Sequence, residues 1–66
     1  MNLPKLKGKM RERDKTYKQC ASVLGISMTG FFNKISGKSP FNIVELDQLG
    51  DFLDMTAEEK AEIFLH

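Results

Sequence analysis

Cys20 and His66 carry the only thiol and the only imidazole in this 66-residue chain. Structural zinc needs four ligands, so two such residues cannot build a site. No histidine pairs with a Cys or Ser nucleophile, and no Gly-rich phosphate loop is present. A chain this short also has little room for an enclosed catalytic cleft. One cysteine forms no internal disulfide, which excludes a stapled secreted mini-protein. Cys20 lies in an apolar-periodic stretch and reads as a small buried hydrophobe. No enzyme, no metal and no cofactor is therefore expected. What remains is hydrogen-bond and charge chemistry. Thr29, Asn33 and Ser36 fall at helical spacing with Gly30 beside them, and Lys34 and Lys38 follow at one end. An Asn side chain can bond an adenine edge through two contacts, and a Thr can meet a thymine methyl or a base acceptor.

Helices must position these groups, because strand-type alternation is absent and apolar residues recur at helical spacing throughout. Leu3, Leu6 and Met10 with Pro4 predict a first helix over about 4–13. Thr16-Tyr17-Lys18-Gln19 has capping-box form and opens a second, whose inward stripe is Cys20, Ala21, Val23 and Leu24. Gly25 closes it, since a left-handed residue there costs little without a Cβ. Ser27 caps a third helix over 28–36 that stops at Gly37. Met28, Phe31 and Ile35 are expected on its inner face, with Thr29, Asn33 and Ser36 opposite. Asn42 and Glu45 open a fourth helix with the stripe Ile43, Leu46, Leu49, Phe52 and Leu53. Thr56 and Glu59 open a fifth, holding Ala61, Ile63, Phe64 and Leu65. The expected fold is all-α, a single compact five-helix domain over residues 1–66.

Net charge is only +1, which taken alone argues against a polyanionic partner. The sum averages unlike halves. Up to Pro40 there are nine cations against two anions; beyond it, one cation stands against seven anions. Such asymmetry points to nucleic acid, with the basic half facing it and the acidic half turned away. No apolar run approaches the roughly 20 residues of a membrane span, and no signal-peptide stretch opens the chain. A cytoplasmic location is the expectation.

The short Gly25-Ile26-Ser27 link joins two helices of about two turns each, as in a helix-turn-helix over 17–36. Ala21 stands four residues before Gly25, where crossing helices leave no room for a large side chain. The stretches T-Y-K-Q-C-A-S-V-L-G (16–25), Ile26-Ser27 and F-F-N-K-I-S-G-K (31–38) carry a resemblance to the phage repressor and Cro-type family, also called lambda-repressor-like or XRE. The turn Leu53-Asp54-Met55-Thr56 before an acidic fifth helix is similar too, and the likeness covers 5–65. It implies a two-fold dimer on double-stranded DNA, with the third helix in the major groove.

Met28, Thr29, Phe32 and Asn33 are then candidate base contacts, and Thr16, Tyr17, Lys18, Lys34, Ser36 and Lys38 candidate phosphate contacts. Two readings stand for Met28 and Phe32, packing beneath the helix or reaching bases. Gly30 weakens a helix by about 1 kcal/mol relative to Ala, which suits a close approach of DNA. The alternating cations Lys5, Lys7, Lys9, Arg11 and Arg13 spread around the first helix and read mainly as a solvated face. Ile63, Phe64 and Leu65 are three consecutive apolar residues, more than one face hides, and are candidate dimer contacts. A different class of function is also open: an antitoxin or adaptor-type interaction module using the acidic fourth and fifth helices.

Overall fold

A side-chain oxygen opens each helix of the computed structural model, which describes residues 1–65. Asn2, Thr16, Ser27, Asn42 and Thr56 each accept the backbone N–H three residues on, at 2.8–3.1 Å. The helices so opened are α1 (Leu3–Glu12), α2 (Tyr17–Leu24), α3 (Met28–Ile35), α4 (Ile43–Phe52) and α5 (Ala57–Phe64). At α2, α4 and α5 the box closes reciprocally. Gln19, Glu45 and Glu59 accept the N–H of the capping residue at 2.8–2.9 Å. Each cap is worth about 1 kcal/mol, which matters because a two-turn helix is unstable alone.

Four helix exits share one device. A left-handed residue ends each, and the N–H of the residue after it reaches back five residues: Lys15 to Met10, Ile26 to Ala21, Lys38 to Asn33 and Met55 to Gly50, at 2.9–3.0 Å. Gly25 and Gly37 supply that conformation at φ 70° and 89°, as their positions predict. Asp14 and Asp54 supply it at φ 58° and 55°, a strained choice for a residue with a Cβ.

The core draws on every helix: Leu6 and Met10, Cys20 and Ala21, Phe31 and Ile35, Leu49 and Leu53, then Met55 and Ile63. Phe31 is central, with the Tyr17 ring tilted against it at 5.6 Å and the Phe41 ring edge-on at 6.0 Å. Ala21 is buried where α2 meets its neighbours, as its small size anticipates. α2 packs against α3 and α4, and α1 against α5. Three expected core residues lie outside, Met28 of α3 among them. Val23 and Ile43 face solvent, because α2 turns Cys20 and Ala21 inward and α4 turns Glu45 and Leu49 inward. Among the described residues there is no strand, and no helix is long and apolar enough to cross a membrane.

The two charge halves are stitched together rather than held apart. Lys5 pairs with Glu62, Lys9 with Glu59, Arg13 with Asp54 and Lys34 with Glu45. Lys9 is buried, contrary to the expectation of a solvated face, because its ammonium lies between Glu59 and Glu12. The Lys9 hydrogen bond holds the Glu59 carboxyl down at about 2. Arg13 also donates to the Leu53 and Asp54 carbonyls, at 3.1 and 3.3 Å, and so covers the negative end of α4.

Candidate nucleic-acid interface

The α2–turn–α3 unit exposes polar, cationic and apolar side chains and no carboxylate. Ile26 tucks partly under the turn while Ser27 spends its hydroxyl oxygen on the Gly30 N–H. A Cβ on Gly30 would stand 3.2 Å from that oxygen. Glycine here thus leaves room for the cap, a contact within the chain that favours the residue. From α3, Thr29 and Ser36 are exposed, as are Met28 at 53% and Phe32 at 51%. Asn33 is half-buried, its carbonyl accepting from the Lys38 and Ser39 amides at 2.9 and 3.2 Å.

Phe31 and Ile35 lie inward as expected, and the face differs from the expected one at Met28 and Lys34. Met28 was expected beside Phe31 and Ile35, yet it points to solvent. Lys34 takes the inner flank instead. Its ammonium donates to Glu45 Oε1 at 2.8 Å and to the Pro40 carbonyl at 3.0 Å. The candidate phosphate contact at Lys34 is thus corrected: its charge is committed inside the fold. Burial acts to raise the Glu45 carboxyl, but the Lys34 ammonium and the Asn42 N–H outweigh it, leaving the group below its usual range.

The α2 side keeps its expected donors. Thr16 and Lys18 are exposed at the opening of α2, whose first-turn N–H groups carry partial positive charge. Tyr17 is half-buried on Phe31. Lys18 and Lys38 have no ion-pair partner among the described residues. Gln19 adds a donor that the sequence reading left out. Its Oε1 closes the capping box on the Thr16 N–H, and its NH2 is a further donor at this exposed end of α2. The Thr-x-x-Gln spacing was the available signal, but it speaks to the box and not to the spare amide.

Elsewhere the candidate residues separate. Ile63 is buried in the core, so it is not a surface contact. Phe64 is half-buried and Leu65 exposed, both lining a groove with Ile43 and Val44. Successive helical residues turn by 100°, which separates Ile63 from Phe64, and Leu65 lies beyond the end of α5. Cys20 is buried, and desolvation pushes its thiol up to about 11, away from the thiolate needed for chemistry. No group of three or more metal-ligating side chains occurs among the described residues, and His66 lies outside them. Comparison of the chain with protein-family models, curated proteins and solved structures finds no match.

Proposed function

We propose that the chain is a sequence-specific DNA-binding transcriptional regulator of phage repressor or Cro type. The observation carrying this reading is the exposed, acid-free face of α3 set between two cations without partners, Lys18 and Lys38. In this mechanism α3 enters the major groove. Thr29 and Asn33 read base edges while Met28 and Phe32 meet thymine methyl groups, which explains two large apolar side chains left in water. Thr16, Lys18, Gln19, Ser36 and Lys38 then grip the flanking phosphates and fix the register. Tyr17 adds its phenol at the same flank.

The domain measures 28 Å along its longest axis. Half-sites on one face of DNA recur at about 34–36 Å, so one chain reads one half-site and two copies read an operator. Occupation of such a site blocks or redirects polymerase. The test is a salt titration of binding to random and selected duplexes. Salt-sensitive binding with a preference for the selected duplex is expected; the absence of salt-sensitive association overturns the reading. A second reading, an antitoxin or adaptor-type interaction module, is favoured by the exposed apolar groove between α4 and α5. It is the class that would remain if duplex binding failed.

A further inference from the structure

Met28 and Phe32 stand one turn apart on α3, so their side chains are neighbours on one face. The inner side of the helix is filled by Phe31 and Ile35, and Met28 and Phe32 have no part in the core. An exposed apolar pair ordinarily suits an apolar protein surface, but the charges around this one point elsewhere. No Asp or Glu occurs between Asp14 and Glu45. Lys18 and Lys38 in that stretch have no ion-pair partner among the described residues. The occupant that fits is therefore anionic overall and yet offers small apolar groups to a helix. Duplex DNA meets both conditions at one place, the C5-methyl group of a pyrimidine at the major-groove edge. RNA does not, because uracil lacks that methyl and the A-form major groove is too narrow for side chains to read. Thymine always carries the group, and cytosine carries it at the same ring position once methylated at C5. Apolar contacts alone do not tell the two methyls apart.

We infer that Met28 and Phe32 form a reader of pyrimidine C5-methyl groups, so that 5-methylcytosine in a half-site is held where thymine is held, and C5 methylation of the DNA strengthens binding. The inference rests on the DNA-binding reading proposed above and gives that site a chemical mark to respond to. The polar edge, an acceptor in thymine and a donor in cytosine, is left to Thr29 and Asn33 beside the pair.

Fluorescence anisotropy with a duplex recovered by selection from a random pool tests this. Each thymine of the half-site is replaced in turn by deoxyuridine, which removes the methyl and keeps the pairing edge. At one or more positions the parent is expected to lose about fourfold in affinity, the effect of one buried methyl. At those positions a cytosine–guanine pair is expected to bind about fourfold more tightly with the cytosine C5-methylated than without. The double variant Met28→Ala/Phe32→Ala is expected to lose both differences and keep the parent's salt slope, since it removes no charge. Both side chains are exposed, so the variant should melt at the parent's temperature. Equal binding of thymine and deoxyuridine duplexes at every position, or a selected motif without thymine, overturns the inference while DNA binding stands. A methyl effect that survives the double substitution overturns it too. Failure of the DNA reading is seen separately and takes the inference with it: the parent then shows no salt-sensitive duplex binding and the pool yields no motif.

Discussion

Replacing Lys34 by Met separates a residue that holds the fold from one that grips DNA. Lys34 sits in the last turn of α3, and in the proposed reading a lysine there would face a phosphate. Its ammonium instead bonds Glu45, and the two side chains are only 19% and 10% exposed. A charge-assisted hydrogen bond of this kind contributes about 1.5–3 kcal/mol. Met preserves the apolar stem, so the loss is mainly that bond and the carboxylate left behind. Residual solvent access lets Glu45 recover part of its hydration. The expected cost is about 2 kcal/mol, which for a domain of this size lowers the melting temperature by roughly 10–15 °C. The slope of log K against log salt should not change, because no phosphate contact is removed. Thermal melts followed by circular dichroism and anisotropy titrations at several salt concentrations read both quantities. A variant that melts like the parent and loses about 0.9 from the slope refutes the reasoning. Lys34 would then be a phosphate clamp, and the Glu45 pair would not hold in solution.

Asn33→Ala should lose discrimination at one base pair by about 1–3 kcal/mol. Lys38→Ala should weaken all sequences alike and flatten the salt slope; competition binding with single-base operator variants distinguishes the two. Gly25→Ala places a Cβ on a left-handed residue and should destabilise the domain by about 1–2 kcal/mol in urea unfolding. Glu59 is held at about 2 in the folded chain against an ordinary 4.5. The unfolded chain therefore binds more protons between these values, and stability present above pH 4.5 is lost as pH falls toward 2. Glu59→Gln keeps the capping-box geometry but removes this term, so unfolding midpoints at pH 7 and pH 3 should lie closer together than in the parent. Cys20, with its thiol near 11 and buried, should resist iodoacetamide at pH 8 until urea unfolds the chain.

Much of the architecture is written locally. Thr16, Ser27, Asn42 and Thr56 mark helix starts, and Gly25 and Gly37 mark ends, because caps and left-handed exits depend on residues within one turn. The exits at Asp14 and Asp54 are less legible, since aspartate occupies a conformation that glycine normally announces. The facing of α3 escapes local reading for a different reason. Apolar spacing alone places Met28 with Phe31 and Ile35 as readily as it places it outside. The inward place of Lys34 is illegible too, because its partners Glu45 and Pro40 lie eleven and six residues away in the chain. The charge halves show the same limit. Sequence order separates basic from acidic, yet folding lays α1 against α5 and pairs Lys5 and Lys9 with Glu62 and Glu59. Composition thus counts every cation alike, while only the fold shows which of them are paired with carboxylates.

Selection of bound sequences from a random duplex pool tests the central claim most directly. The proposed reading predicts an enriched motif of two inverted halves, centred about 10–10.5 base pairs apart, whose preference at one position disappears with Asn33→Ala. A pool that stays featureless after repeated selection contradicts the assignment of α3 as a recognition helix.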